Sequence, residues 1–439
     1  MGLTVLQALQ YPVVNAFRHF YIRRRLDDSS GNYETSWFDI SDEVKSWGNI
    51  SWELDEKQYA HFQQSNVSIV CQNHNGQFNS EDNAGSYWSG YLTRYKTLVK
   101  IQVGFLDTAG SEVPPTSTSE ASTPSQFVGV ITEPIELTGN NEAVINIKAL
   151  TSVLEDVPAN LLVVASAGAA GNGQMSPYTL MVRMRDVTDG SSNLILQRFI
   201  SSGAWDLESG TQTMTALDTL TSLDGYNCWT LAKKLAETAN KSVWIDKLGG
   251  LHFKAQTPTS AVQFIFSGNP YNNTTYGHTI KDVESMIEDY DYLYNRVRVK
   301  FGTTDTSTSW KKKQETWVVG DSTTSWKYGV KTLEIDNTWL SSTTADNIAS
   351  TLYASLNQIT EKVELKCKFI PTLALLNRTS VEYDVVRADA TRWDFFNWDN
   401  ANWDTSVSPV YDFVAKEYKI IGLEHDIDNM ETNVTLRSI

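Results

Sequence analysis

The 439-residue sequence has few cysteines and no long apolar run, and each shortage excludes a class of protein. Its three cysteines, Cys71, Cys228 and Cys367, are far apart and odd in number, which excludes a disulfide scaffold and offers no zinc-ligand spacing. Reduced, buried thiols in a protein folded in a cytoplasm fit this pattern best. The longest apolar run, residues 161–170, is too short to span a bilayer. The sequence therefore indicates a protein that is soluble or part of a soluble assembly.

Motifs of known catalytic chemistry are also missing. The sequence contains no G-x-S-x-G, no H-E-x-x-H and no phosphate-binding loop. Its six histidines are scattered, and His425 in LEHDID has no nearby histidine or cysteine with which to hold a metal. We interpret His425 as a hydrogen-bonded or exposed histidine at the end of a strand. The sequence therefore predicts no catalytic, cofactor or metal site.

The charge and the aromatic content further limit the possible functions and folds. The formal net charge of −16 disfavours direct binding of duplex nucleic acid, because such binding depends on phosphate neutralisation by Lys and Arg. The chain contains 14 Trp and 19 Tyr, which favour a β-rich fold with flat contact surfaces. Its length suits two or three domains.

Most of the chain has the alternating pattern of short antiparallel strands. Residues 17–105 alternate with period two and are punctuated by Asn, Asp and Gly, and Asn75-Gly76 predicts a tight turn. Residues 107–126 are rich in Pro, Ser and Thr, so we predict a long exposed loop there. Strand patterns return after that loop and again from Tyr294 to the last residue.

Two segments predict helices. DGYNCWTLAKKLAETAN, with Asp224 near its start, has an apolar face and leads to a hairpin around Gly249-Gly250. Residues 344–358 predict a second helix, capped by Thr343, in which Ile348, Leu352 and Leu356 share one face.

The stretch RWDFFNWDNANWD repeats Trp-Asp at a spacing of five residues. The repeated residues are Trp393, Asp394, Trp398, Asp399, Trp403 and Asp404. The acids are too widely spaced for a typical calcium loop, although calcium stays an alternative. Three Trp rings in one plane could form a sugar platform. We favour a compact loop in which Asp and Asn form turns and the Trp rings contact a neighbouring subunit or ligand.

Several segments, in this order along the chain, resemble the hub component of the tail tip in tailed bacteriophages and related tail-like machines. The resembling segments are residues 37–78, 229–255, YNRVRVKFG (294–302), WKYGVKTLEI (326–335), the helix at 344–358 and YKIIGLEHDIDNMETNVTLRSI (418–439). The chain departs from the family at LALLNRTSVEYD, where a Gly-Asp often precedes the strand. Many hubs continue into a lysozyme or peptidase domain, which we do not expect here.

The resemblance implies a mainly β fold with an α+β insert, organised in three parts. The first, residues 1–160, is a tail-tube-like antiparallel β-barrel domain that includes the Ser/Thr/Pro-rich loop 107–126. The second, residues 161–280, is a small α+β module. The third, residues 281–439, is another such β-barrel domain, with the helix at 344–358 and the Trp-Asp loop at 392–404.

The resemblance also implies a function without catalysis. A hub of this family is a homotrimer that adapts the hexameric tail tube to a three-fold tip and forms part of the DNA channel for genome ejection. Expected partners are the distal tail protein, the tape measure protein and tail fibre or central spike proteins, with DNA passing without specific binding. The expected location is the virion tail tip, after synthesis in the host cytoplasm. Alternatives are a distal ring or receptor-facing adaptor protein, or a carbohydrate-binding protein that uses the Trp-rich loop.

Overall fold

A computed structural model describes the fold. It describes residues 5, 9, 15–27, 32–55, 61–92, 94–115, 123–162, 176–189, 194–210, 223, 225–255, 258–268, 279–301, 314–319, 329–337, 339–340, 342–382 and 416–439.

The strands of these residues account for most of the regular structure. They are β1 (Ala16–Arg23), β2 (Phe38–Asp39), β3 (Val44–Ser46), β4 (Asn49–Asp55), β5 (His61–Gln64), β6 (Val67–Gln72), β7 (Leu98–Leu106), β8 (Glu112–Val113), β9 (Ser125–Ile131), β10 (Glu136–Thr138), β11 (Glu142–Ala149), β12 (Trp205–Leu207), β13 (Ser242–Ile245), β14 (Leu251–Lys254), β15 (Val262–Ser267), β16 (Ile280–Asp289), β17 (Arg296–Phe301), β18 (Gln314–Val319), β19 (Thr332–Asp336), β20 (Thr360–Lys368), β21 (Arg378–Glu382), β22 (Lys416–Asp426) and β23 (Glu431–Ser438). The α-helices are α1 (Thr151–Glu155), α2 (Pro177–Arg185), α3 (Cys228–Ala239) and α4 (Ser342–Leu356).

The first large sheet is curled by the short connection between its two end strands. Its strand order is β2-β1-β7-β9-β11-β6-β3, with β8 beside β7 and β10 beside β11. Seven strands laid flat would span roughly 29 Å. The end strands are joined by only Ile40 to Glu43, which reach at most about 18 Å. The sheet must therefore bend round until its ends approach each other.

The second large sheet is curled too, and it takes strands from both ends of the chain. Its order is β15-β21-β22-β23-β20-β16, and β4 with β5 pairs onto the second half of β22. The two end strands meet where the Thr279 amide donates to the Ser267 carbonyl, 2.9 Å away. Because β4 and β5 lie near residue 50, the last part of the chain cannot complete this sheet by itself.

Two smaller units complete the described fold. In the middle unit, β14 pairs in parallel with β12 and antiparallel with β13, and helix α3 packs against them. Asn227 caps α3 by accepting a hydrogen bond from the Thr230 amide, and Asn240 ends the helix with φ +54°. In the other unit, β17 lies between β18 and β19, beneath helix α4.

A single apolar cluster joins the two large sheets. It contains Phe20 and Ile145 of the first sheet together with Val363 and Leu436 of the second, all fully buried. Burial of apolar surface contributes about 25 cal/mol per Å². We therefore expect the two sheets to stabilise each other across this shared core.

These observations confirm the predicted mainly antiparallel β fold with an α+β insert. The predicted strands, the hairpin at Gly249-Gly250, both helices and the turn at Gly76 are present, and Gly76 has the positive φ that its turn requires. Helix α4 buries its predicted face. The cap prediction was wrong, because Thr343 lies inside the first turn of a helix that begins at Ser342.

The exposed loop predicted for residues 107–126 begins as predicted with an exposed turn at residues 108–111, but it was wrong for residues 112–113 and 123–126. Glu112–Val113 forms strand β8, and Val113 is buried. Ser125 and Gln126 begin β9 and are buried, because they meet the middle unit and the second sheet. The division of the chain at residues 160 and 280 stays a prediction.

Candidate assembly surfaces

The predicted contact loop lies outside the described residues. Trp393, Asp394, Trp398, Asp399, Trp403 and Asp404 all belong to the range 383–415. That range connects β21 to β22, which pair antiparallel from Arg378 opposite Lys419 to Val381 opposite Lys416. The role of the Trp-Asp repeats therefore stays a prediction.

Strand β16 forms an exposed edge of the second large sheet. It pairs with β20 on one side, and within the described residues no strand pairs along its other side. Met286 and Ile287 on this strand are 43% and 52% exposed, and Tyr290 follows them at 46%. A long edge strand with exposed apolar side chains is a site where another chain can add a strand.

Sequence reasoning missed β16, and the reason is visible in its register. Pairing with β20 shifts between Ile280 and Asp282 and again between Val283 and Ser285. Each irregularity moves the following side chains to the other face, so the period of two is lost. The cluster of Val283, Met286 and Ile287 among acidic residues was the signal that could have found it.

A buried network of hydrogen bonds connects the middle unit to both large sheets. Lys247 is 3% exposed, and its Nζ donates to the Pro371 carbonyl at 2.8 Å. The Gln126 side chain donates to the same carbonyl at 3.1 Å, and the Ser125 hydroxyl donates to the Lys247 carbonyl at 2.8 Å. Separating these segments would leave buried polar groups without their partners, so the network favours one arrangement of the three parts of the chain.

A stack of aromatic rings forms a second contact between the middle unit and the second sheet. The Trp244 ring stacks on Phe62 of β5 at 4.8 Å and on His252 at 4.9 Å between centroids. His252 is oriented by two carboxylates, with Nε2 2.8 Å from Asp246 and Nδ1 3.2 Å from Asp206. The Trp244 ring is therefore held between β5 and β14 by stacking contacts within the protein.

His425 lies next to the last residue of β22, at the end of a strand as predicted, and it is a core residue. It lies within β22, is fully buried, and its Nδ1 is 2.9 Å from the Thr432 hydroxyl. Trp52 and Phe369 pack against its ring. Burial, with a smaller contribution from the charge of Lys247, lowers the His425 pKa from 6.5 to about 3. The hydrogen bond was predicted correctly, whereas exposure was wrong.

The described residues hold no group of three His, Cys, Asp or Glu side chains arranged to bind a metal ion. All three cysteines are buried and free, and burial raises the pKa of each thiol. No helix in the described part of the chain is long and apolar enough to cross a bilayer.

Comparisons with known proteins extend these observations. No protein-family model and no curated protein matches the chain. Among solved structures, the tail protein from Neisseria meningitidis MC58 has a TM-score of 0.51 at 8% identity, over 95% of this chain and 96% of that chain. The 43 kDa tail protein of prophage MuSo2 from Shewanella oneidensis has 0.47 at 10% identity, over 96% and 98%. Prophage tail protein gp18 from Listeria monocytogenes EGD-e has 0.47 at 10% identity, over 95% and 94%. At these identities the likeness establishes the fold alone, and along nearly its whole length this chain has the fold of the Neisseria meningitidis tail protein.

Proposed function

We propose that the chain is a structural protein of a phage-type tail and acts as the trimeric hub of the tail tip. The observation that carries the proposal is the shared fold with the Neisseria meningitidis tail protein, which covers 95% of this chain and 96% of that chain. The ordered resemblance of the sequence segments to tail-tip hubs supports the same role. The likeness of fold by itself does not specify a subunit number, so the trimer depends on the sequence resemblance.

The proposed mechanism is symmetry matching. Each chain contributes two curled sheets, so three chains would place six sheets in a ring. Such a ring presents an approximately six-fold face to the tube and a three-fold face to the tip. The exposed edge of β16 is suited to a neighbouring subunit, because an added strand would satisfy its unpaired backbone groups and cover Met286 and Ile287.

In this arrangement the interior of the ring would form part of the channel through which DNA passes. The net charge of −16 supports a channel that repels phosphate and lets DNA pass without specific binding. Charge-reversal variants of channel residues should therefore slow DNA ejection. Unchanged ejection in such variants would count against this part of the proposal.

The Trp-Asp loop is proposed as a contact to a neighbouring subunit or to a fibre. Replacing Trp393, Trp398 and Trp403 by Ala should impair tail assembly more than the stability of the isolated chain, because aromatic side chains dominate interface energetics. Loss of cooperative melting in the isolated triple variant would place these side chains in a core instead.

No catalytic step is part of the proposal. The proposed partners are the distal tail protein, the tape measure protein and fibre or central spike proteins. The proposed location is the virion tail tip, after synthesis in the host cytoplasm. The second candidate, a distal ring protein, differs from the hub in subunit number.

Light scattering on the purified full-length chain tests the proposal. A mass three times the 49.2 kDa of one chain supports the hub. A mass six times that value favours the distal ring protein. Because a hub could require the tube end for assembly, a monomeric result calls for the same measurement after mixing with the tube protein. A chain that stays monomeric there contradicts the trimer.

A further inference from the structure

Two arginines at the end of β1 have no carboxylate partner. Arg23 and Arg25 are two residues apart in extended chain, on the side of the sheet opposite the core residue Ile22. Within the described residues neither arginine forms an ion pair, and Arg23 donates from Nε to the Glu34 carbonyl at 2.5 Å. The Glu34 carboxylate binds Arg24 instead, on the other side of the strand. In a chain of net charge −16, these two cations are therefore available to an acidic partner.

A third arginine joins them where the first sheet meets the middle unit. Arg25 bridges to Tyr33, whose ring packs on Phe199 at 5.8 Å between centroids, and Arg198 directly precedes Phe199. Burial raises the pKa of Tyr33, and the charges of the three arginines each oppose that rise, so all three lie near its hydroxyl. The Arg198 Nη2 is 4.0 Å from the Asp189 carboxylate, at the limit of an ion pair. We name the arginine cluster as Arg23, Arg25 and Arg198.

The edge of β16 has carboxylates without a cation. Asp282 and Glu284 are exposed, and in the described part of the chain neither forms an ion pair. The two lysines beside them, Lys281 and Lys366, both bind Glu431 instead, each at 2.8 Å. Glu284 lies at a register irregularity of β16, so no residue of β20 is directly opposite it. Two carboxylates are therefore available along the edge that is suited to a neighbouring subunit.

The spacing of the two arginines in β1 matches the spacing of the two carboxylates in β16. Residues two positions apart in an extended strand are separated by about 7 Å. This distance applies to Arg23 and Arg25, and to Asp282 and Glu284. Two ion pairs could therefore form side by side between the two segments. Complementary charges of this kind fix the register of a contact and disfavour wrong partners.

Within one chain these arginines and carboxylates do not contact each other. Arg18, near the start of β1, donates from Nε to the carbonyl of Ile427, in the turn between β22 and β23, at 3.0 Å. Arg25 is seven residues further along this extended segment, about 24 Å away. Asp282 stays beside the turn, because the lysine before it binds Glu431, the first residue of β23. A contact between them therefore needs a second copy of the chain.

We propose that the arginine cluster of one chain binds Asp282 and Glu284 of the next chain, beside the apolar contact at Met286 and Ile287. This inference rests on the proposed hub function. In a ring of six sheets from three chains, the second sheet of each chain lies next to the first sheet of its neighbour, as this contact requires. Each copy supplies one cluster and one pair of carboxylates, so all of these charges find partners when the ring closes. A contact between two different patches of one chain is head-to-tail, the type that closes into a ring.

Charge reversal in the full-length chain tests the contact, with light scattering under the condition in which the native chain is a trimer. Arg25→Glu and Glu284→Arg should each raise the concentration needed for the trimer about a hundredfold, because like charges would face each other across the contact. The two substitutions together in one chain should restore the trimer, since the charges are exchanged rather than lost. Glu136→Arg, at an exposed position on β10, is the control and should leave the trimer unchanged.

The possible outcomes separate this contact from the hub itself. A native chain that forms no trimer, alone or with the tube protein, contradicts the proposed function and this contact together. A native trimer that persists unchanged in both single variants contradicts the contact alone. Loss of the trimer without recovery in the combined variant, or an equal loss in Glu136→Arg, also overturns the contact.

A further variant decides the result if Arg25→Glu does not melt cooperatively. Asp282→Arg combined with Glu284→Arg changes only exposed positions, so the chain should fold. It should form no trimer at concentrations where the native chain does, because two cations would face the arginine cluster. A trimer that survives in this variant contradicts the contact.

Discussion

The two large sheets end in different ways. In the first sheet, the end strands β2 and β3 are two and three residues long, and the segment from Ile40 to Glu43 joins them within the chain. In the second sheet, the end strands meet at Ser267 and Thr279, and the ten-residue strand β16 continues beyond that point with exposed apolar side chains. The difference indicates that the first sheet is completed by its own chain, whereas the second has an edge available to a partner.

The largest effect is expected from a variant that weakens the closure of the first sheet. Ile40 is 2% exposed and lies in the segment that joins the ends of the first sheet. Ile40→Ala should lower the free energy of unfolding by about 2–5 kcal/mol, because it removes buried atoms and leaves a cavity. Denaturant titration of the isolated chain measures the loss. Leu137→Ala, at an exposed position on β10, should change stability by less than about 0.5 kcal/mol. Equal losses in the two variants would contradict the importance of this closure.

An intermediate effect should come from the core that both sheets share. His425 has a folded-state pKa of about 3 against 6.5 when unfolded, so the fold favours its neutral form. Its contribution to the free energy of unfolding is complete above pH 6.5. As the pH is lowered, this contribution decreases by about 2 kcal/mol at pH 5 and by progressively more toward pH 3. Denaturant titrations at several pH values should show this loss in the native sequence.

The matched variants separate His425 from other titrating groups. His425→Leu should reduce the loss of stability between pH 7 and pH 5 by about 2 kcal/mol, since it removes the group that must bind a proton. His74→Gln, at an exposed histidine, should retain the native pH dependence. A His425→Leu variant with the same pH dependence as the native chain would show that other groups dominate.

The smallest effect on folding is expected at the open edge. Ile287→Lys should change the stability of the isolated chain by less than about 0.5 kcal/mol, because the side chain is half exposed. It should abolish the trimer, since a charge would be buried without a partner in the proposed contact. Light scattering detects the change. Leu137→Lys, at 48% exposure on the first sheet, is the control and should leave the assembly intact. A trimeric Ile287→Lys variant would exclude β16 as the contact.

Strands and helices were predictable where their side-chain pattern depends only on residues a few positions away. The alternation in VELKCKFI and YKIIGLEHD predicted β20 and β22, because one face of each strand is buried. The apolar stripe of Ile348, Leu352 and Leu356 predicted α4 within two residues of its bounds. By contrast, β16 escaped detection because two irregularities in its register interrupt the period of two.

The candidate sites and the other side-chain clusters depended more strongly on distant contacts. Arg378, Lys419, Arg437 and Lys362 are unremarkable in sequence and become neighbours only through strand pairing. Similarly, Ser125 and Gln126 belong to a Ser/Thr/Pro-rich stretch typical of exposed loops, yet they are buried against Lys247 and Pro371. Composition could not predict either outcome, because both depend on residues more than a hundred positions away or on the register between strands.

The sequence by itself determined the mainly β class, the periodic strands, the two principal helices and the order of segments that resembles tail-tip hubs. These features follow from the spacing of apolar residues and turn residues, which acts over a few positions. Only the tertiary structure decided which strands close each sheet, where β4 and β5 pair, and which basic residues lie opposite each other on neighbouring strands. Those outcomes follow from apolar burial and hydrogen bonding between distant segments, whose partners are chosen by the geometry of the whole fold.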